Sequence, residues 1–518
     1  MVDNRDNIVS DKLILNYHLM HPGGGSRPGD PNIAFYLEGK FHLHYILRHP
    51  WKNKISYSFI HVTSEDMLNW NWENTKLQPS FTGHGMFSGT GFITKEGIPA
   101  AIYCATALKK KNTYITLAKD RHITSWNKPY PLLPKGGPDG TNFLLLGDPD
   151  CFLYEDNYYA YSAMSSSSNS TNPSKTTALE NVKLCKSKDL INWFYVGSFL
   201  KKDLPEISKG EDLSCANMFP IGNKWMILCI SHSMGCRYYL GEWDHINENF
   251  IPETHGRMNW RSNGQSLLDP VYRDFFAPET LLTGDGRRIM WAWLASLEKN
   301  IEDKTIQSLP RELSLDFHGN LLIKPLRELE KLRYDPIKFE NIIVGDKSFE
   351  FKKTIINDES RYNLKNFISH ITELKGDSYE ININIDRTES ERRRFGFLLF
   401  SNQEFDGLPI LIRPESGLIS VGETEAPFSL SKLPIDENIN IRIFIDKYLV
   451  EFFINDRQAA VTSFMRFKES GFDFNAYAYS GEGDKPMNIR KIEIWKMRPT
   501  NKGFLKARKN PIWIPKTN

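Results

Sequence analysis

Apolar and polar positions alternate in short runs along most of the chain, with Gly, Pro, Asn or Asp interrupting them about every ten residues. A period of two is the signature of half-buried strands. It is clearest in the runs that begin at Phe41, Ala100, Tyr158 and Trp225. Long amphipathic helices are missing, and the segment Leu326 to Arg333 is the most helix-like. Beyond it alternation resumes from Tyr379, Phe395, Ile439 and Val450, with a hairpin expected at Asn455-Asp456. A weak repeat runs through the first part. Ser64-Glu-Asp66-Met-Leu68-Asn-Trp70 and Ser187-Lys-Asp189-Leu-Ile191-Asn-Trp193 match in Ser, Asp, an aliphatic residue, Asn and Trp, and Ala118-Lys-Asp120 to Trp126 is a looser cousin. Roughly sixty residues per unit fits four-stranded blades. The pattern predicts an all-β chain: a five-bladed β-propeller over 12–325, a linker over 326–340, a β-sandwich over 341–497 and a tail over 498–518. The repeat tryptophans are expected to pack between strands rather than to face a ligand.

Chemistry enters at three acidic turns. Three glycines (Gly23, Gly24, Gly25) and two prolines exclude a helix before Asp30-Pro31-Asn32, so a loop is expected to deliver Asp30 immediately before a strand. Gly147-Asp148-Pro149-Asp150 runs into the strand-like Cys151 to Tyr154, and Glu211-Asp212 precedes Met218-Phe219-Pro220. Singly, Asp-Pro is a common turn opener. Together, three carboxylates at three strand starts are what cleavage of a glycosidic bond requires: one to attack or activate water, one to protonate the leaving oxygen, one to steady the sugar.

Composition narrows the alternatives. The 65 Lys+Arg nearly balance the 63 Asp+Glu across 518 residues, so no global field draws the chain to nucleic acid or an anionic membrane. The basic tail beyond Lys502 reads as a solvated face. Aromatic content of 13% suits strand packing and carbohydrate faces. No apolar run approaches the roughly 20 residues of a membrane span. The first residues lack a signal-like apolar core, and the six cysteines show no C-x-x-C pair; both point to a cytoplasmic protein with reduced thiols. No cluster shows metal-ligand spacing, so neither metal nor cofactor is expected. The Ser- and Asn-rich stretch 165–177 reads as a surface loop.

These residues resemble the β-fructofuranosidases, the invertase, inulinase and levanase group called glycoside hydrolase family 32. The resemblance runs from about Tyr17 to Trp495. It rests on Gln307-Ser-Leu-Pro-Arg-Glu-Leu, Pro325-Leu-Arg-Glu-Leu, Phe276-Ala-Pro-Glu-Thr, Gly286-Arg-Arg-Ile-Met-Trp-Ala-Trp293 and Val450-Glu-Phe-Phe-Ile-Asn-Asp456. It implies a retaining hydrolase that releases terminal β-fructofuranosyl units from sucrose or fructans. Asp30 falls on the nucleophile and Asp148 on the transition-state stabiliser. The family's glutamate would align with Ser214, so Glu211 is taken as acid/base, as in a divergent branch that carries E-D-x-S-C; Asp212 is the runner-up and Glu279 a distant third. Asn32, Trp51, Phe87 and Ser88 are expected to line the pocket. Gly29, Ile46 and Gly147 stand where relatives carry asparagine, glutamine and arginine. Those losses keep open an arabinofuranosidase, and Ser214 keeps open a carbohydrate-binding protein without its acid; a transfructosylase would share every catalytic residue. The second module is expected to serve packing and dimerisation.

Overall fold

The computed structural model describes residues 13–23, 27–51, 54–78, 85–107, 110–137, 144–145, 147–165, 182–201, 211–232, 235–258, 274–295, 306–345, 366–392, 394–402, 406–468, 470–479 and 486–515. The 165–177 stretch lies outside these except for Ser165. The chain is mostly β, and the strands of the described residues fall into seven sheets.

The first five sheets follow one another along the sequence. The first comprises Arg27–Leu37, Lys40–Trp51, Lys54–Ser64 and Asn71–Trp72; the second Gly85–Ile93, Pro99–Ala107, Lys110–Leu117 and Tyr130–Pro131. The third is built on Asp150–Tyr154, Asn157–Ser165, Val182–Ser187 and Trp193–Ser198. The fourth holds Ser214–Ile221, Lys224–Ser231, Gly235–Asp244 and Asn249–Arg257; the fifth Asp274–Leu282, Arg288–Ala295, Arg311–Leu315 and Leu321–Pro325. Their leading strands touch in cyclic order, first against second and so on, with the fifth back against the first. The segment before the first sheet closes this circle. Met20 bridges Ile306 beside the fifth sheet, and Gln307 N–H donates to the Leu19 carbonyl at 2.9 Å.

The sequence repeat has a physical cause. Between the last two strands of the first sheet, Asp66 Oδ1 accepts the N–H groups of Leu68 and Asn69 at 2.9 and 2.7 Å, and Oδ2 accepts the Asn69 amide. Asp189 does the same with Ile191 and Asn192 in the third sheet. Asp120 makes the looser version in the second, to His122 and Thr124. Two copies that the sequence pattern did not reveal stand at the same place in the fourth and fifth sheets: Asp244 with Ile246 and Asn247, and Asp316 with His318 and Asn320. Each is an Asx turn in which the side chain replaces a backbone acceptor. As expected, the tryptophans pack: Trp70, Trp126 and Trp193 are buried.

After the 3₁₀ turn Arg327–Leu332, the strand Arg333–Val344 begins inside the stretch read as a linker. It opens a six-stranded sheet with Met487–Met497, Ser378–Ile385, Ile439–Asp446, Leu449–Ile454 and Gln458–Ser463. A second six-stranded sheet holds Asn366–Leu374, Phe472–Tyr479, Phe395–Ser401, Leu408–Arg413, Leu418–Val421 and Thr424–Pro427. Alternation works as predicted: Ile381, Ile383 and Ile385 are fully buried on one face. On the other, Glu380 is held by Arg333 and Arg442, each at 2.7 Å. The hairpin at Asn455-Asp456 places both residues at positive φ, 49° and 53°, as a tight two-residue turn needs. All six cysteines are buried and none is in a disulfide.

The basic tail is corrected by the structure. Lys502–Lys509 is a helix, with Phe504 and Ala507 buried and Phe504 6.1 Å from Trp72 of the first sheet. Its lysines are exposed, while its apolar stripe docks and Arg508 lies over Phe504. Trp513 beyond it is also buried, 4.6 Å from the His21 ring. Gly503 lies so close that a Cβ there would overlap the Trp70 carbonyl oxygen. Gly503→Ala should therefore destabilise by about 1–3 kcal/mol, read as a lowered urea midpoint; an unchanged midpoint would mean that the helix is not docked.

Three histidines of the first sheet, His42, His44 and His61, are buried and stacked, with His44 and His61 4.3 Å apart. Burial pushes His42 down to about 4 and His44 to about 3. Unfolded histidines take up protons near pH 6.5 and these do not, so their contribution to stability is complete above that value and is lost as pH falls towards 4. The drop in urea midpoint between pH 7 and pH 5 should be smaller in His42→Gln, which has no such proton to gain.

Candidate active site

Register irregularities cluster on four of the five leading strands. Bulges fall at Pro28/Pro31 and Pro31/Ile33, at Met86/Gly89, at Ser214/Asn217 and at Phe276/Pro278. A bulge bends its strand and re-aims the side chains beside it. These bring Asp30, Ser88 and Cys215 together. Asp30 thus sits within the strand Arg27–Leu37 rather than in a loop ahead of it, because the ladder continues past the Asp-Pro through two irregular steps. Asp148 stands just before its strand, as expected.

Ser88 Oγ donates to Asp30 Oδ2 at 2.6 Å. The Cys215 thiol lies 3.7 Å from the same oxygen and 3.5 Å from Asp148 Oδ2, and Cys215 N–H points to Asp148 at 3.3 Å. Cys215 is held at a φ of 46°, and that left-handed turn aims both its donors between the two carboxylates. Burial pushes Asp30 up to about 6; the Ser88 hydrogen bond works against this and the Asp148 charge adds to it. Asp30 and Asp148 therefore form one electrostatic unit with Cys215 as its shared donor.

Asn32 is buried and spends its amide on the backbone: Nδ2 donates to the Asp30 carbonyl at 2.7 Å, and Oδ1 accepts Gly89 N–H at 2.9 Å. It braces the Asp30 turn against the Ser88 strand. Gly89 must be glycine, because a Cβ there would run into the backbone of Ile102 and Tyr103. Phe87 stands 4.8 Å from Tyr57 beside this strand. Trp51 is corrected: it is not in a loop but ends the strand Lys40–Trp51, buried at 6% exposure with His49 edge-on at 5.8 Å.

The two candidates for the acid have different surroundings. Glu211 is buried; its Oε1 accepts the Tyr239 hydroxyl at 2.7 Å and lies 2.9 Å from Arg237 Nε, while Oε2 has no hydrogen-bond partner among the described residues. Among the described residues its partners lie on Gly235–Asp244, and none joins it to Asp30 or Asp148. Asp212 is fully engaged. It accepts His232 Nδ1 at 2.6 Å, His232 N–H at 2.8 Å and the hydroxyls of Ser214 and Ser231. Burial works to raise its pKa, but these donors, His232 foremost, hold it below the usual carboxylate range. Glu279 is set apart: its Oε1 takes Thr90 and Thr280 N–H, and burial pushes it well above the usual range.

Cys215, His232, Arg237 and Tyr239 were not singled out from the sequence. The Arg237/Tyr239 spacing, two apart on one strand, places both on one face and was the available signal. Arg237 brings a guanidinium to a site whose Asp148 turn carries Gly147.

The N-terminal domain of glycosyl hydrolases family 32 matches residues 28–325 and the C-terminal domain residues 329–496. The chain is 24% identical to a probable sucrose-6-phosphate hydrolase of Psychromonas ingrahamii, over 86% of this chain and 76% of that protein. It is 23% identical to the raffinose invertase of Escherichia coli, over 90% and 92%, and 24% identical to the levanase of Bacillus subtilis, over 91% and 69%. Among solved structures, sucrose-6-phosphate hydrolase from Lactobacillus gasseri superposes with a TM-score of 0.68 at 18% identity, covering 96% of both chains. Fructan 1-exohydrolase IIa from Cichorium intybus superposes at 0.67 and 16%, covering 94% and 98%. With both domains matched in order and across most of its length, the chain belongs to glycosyl hydrolases family 32.

Proposed function

We propose that this protein is a retaining β-fructofuranosidase that releases terminal fructosyl units from sucrose or fructans. The observation that carries the reading is the pairing of Asp30 with Asp148 around Cys215 where the leading strands of five successive sheets meet. In this reading those sheets are the blades of a five-bladed propeller, and the two six-stranded sheets form a C-terminal sandwich. Names of the relatives, hydrolases of sucrose 6-phosphate, raffinose and fructan, support the substrate class.

Asp30 attacks the anomeric carbon while Glu211 protonates the departing oxygen, so the glycosidic bond breaks as the fructosyl–Asp30 ester forms. Asp148 steadies the oxocarbenium-like charge between them. Water then attacks the ester, giving its proton to Glu211 and returning Asp30 as carboxylate. Glu211 is favoured over Asp212 because one of its oxygens is unpartnered and can hold the proton, whereas both oxygens of Asp212 accept bonds that keep it ionised. Arg237 and Tyr239 orient the other oxygen of Glu211.

Incubation with sucrose, inulin, levan and an arabinofuranoside tests this, with free sugar as readout. Wild type should release fructose, Asp30→Asn should abolish release, and Glu211→Gln should lower kcat by about 100-fold or more. Undiminished activity in the last variant would move the proton to Asp212; arabinose in place of fructose would overturn the substrate class.

Asp30 must be ionised to attack, so kcat/KM should rise with pH through about 6. Ser88→Ala removes a hydrogen bond that favours the charged form. This should move the rise to higher pH and cost about ten-fold in kcat/KM at pH 6; an unmoved profile would detach Ser88 from the nucleophile.

A further inference from the structure

His232 follows directly on the strand Lys224–Ser231 of the fourth sheet. Its partner Asp212 is buried, with a side chain 6% exposed, whereas the His232 side chain is 63% exposed. Asp212 grips it twice, Oδ2 to Nδ1 at 2.6 Å and Oδ1 to the backbone N–H at 2.8 Å, so ring and backbone are fixed together. With Nδ1 committed to Asp212, Nε2 is the ring's second polar atom, an acceptor in the neutral ring and a donor in the protonated one.

The position is tied to the carboxylate site on two sides. Through Asp212 it reaches Ser214 Oγ at 3.2 Å, and the next residue, Cys215, carries the donors shared by Asp30 and Asp148. On the other side Phe276 stands edge-on to the His232 ring at 5.7 Å, and Trp293 edge-on to Phe276 at 6.1 Å. Trp293 in turn reaches to 4.0 Å of the Cβ position at Gly29, beside the nucleophile. Asp212, through its hydrogen bond first, and then the charges of Asp148 and Asp30 favour the protonated ring, against the effect of burial.

A terminal fructosyl unit must seat its anomeric carbon against Asp30, inside the ring of strands. The rest of the substrate then has to leave towards solvent, past whatever polar groups stand on the rim. We propose that His232 is a substrate-contacting residue on the leaving-group side, forming a hydrogen bond between Nε2 and a hydroxyl of the departing sugar, with Asp212 as its positioning residue. This rests on the fructosidase reading and adds a specificity determinant that neither the sequence motifs nor the acid/base assignment contains.

The test uses the full-length chain and two substrates with the same fructosyl unit: sucrose, whose leaving group is a sugar, and 4-nitrophenyl β-D-fructofuranoside, whose leaving group has no hydroxyls. His232→Ala should lower kcat/KM for sucrose about ten-fold more than for the aryl fructoside, chiefly through KM. His232→Gln, which keeps an N–H donor, should recover part of the loss, and Asp212→Asn should fall between the two. Equal losses on both substrates, in variants whose thermal midpoints match wild type, would make His232 structural and overturn the proposal. Unchanged kinetics on both would overturn it as well. Wild type inactive on either fructoside would instead bring down the fructosidase reading itself, and the leaving-group assignment with it.

Discussion

A chain of four fully buried charged groups ties the molecule together: Asp446, His18, Glu451 and Arg311. His18 Nδ1 lies 2.8 Å from Asp446 and Nε2 3.4 Å from Glu451, whose other oxygen is 3.1 Å from Arg311. Burial alone would discharge the imidazole, but the two carboxylates hold it at about 9. Removing any one member would strand a charge in the interior, which costs far more than the pair gains. The network joins the segment before the first sheet, the fifth sheet and the first six-stranded sheet. That segment precedes the strand Arg27–Leu37, so the strand that carries Asp30 is anchored from its own N-terminal side.

The anchoring matters because the site is electrostatically unfavourable. Asp30 and Asp148 are like charges held within reach of one thiol. Left to local forces they would separate or take up a proton. What keeps them together is the cyclic contact of five leading strands, with bulges on four of them bending backbone towards the centre. Donors from two sheets then share the charge, Ser88 from the second and Cys215 from the fourth, while Gln307 Nε2 of the fifth fixes the neighbouring Gly29 carbonyl at 3.1 Å. On the fourth sheet, Arg237 and Tyr239 hold Glu211, and His232 holds Asp212.

Much was legible in the sequence because it depends on neighbours in the chain. Period-two alternation marked Tyr379 to Ile385 as a strand whichever sheet received it. The Asp66 and Asp189 turns were visible because an Asx turn is closed within four residues. The weaker copies at Asp244 and Asp316 escaped notice, since only Asp and Asn recur there while the surrounding residues vary. The tail beyond Lys502 read as solvated because its cations dominate composition, whereas Phe504 and Ala507 reveal a docked stripe only when Trp70 and Trp72 supply the surface. Trp51 is not a pocket residue of a loop but part of the hairpin, because its partner across the turn, Lys54, is a pairing that only the folded sheet shows.

The chain's local code by itself determined the strands, the turns and the three acidic clusters, because backbone sterics and side-chain alternation act over a few residues. It could place Asp148, Glu211 and Asp212 ahead of strands, but not carry the first strand back past Asp30 or say which oxygens would be satisfied. That was decided by tertiary structure. Glu211 meets Arg237 and Tyr239, and Asp212 meets His232, only because the antiparallel strands of the fourth sheet fold back on the turn that precedes them. Hydrogen-bond satisfaction and charge depend on distance in space, and distance in space is set by the closing of the ring.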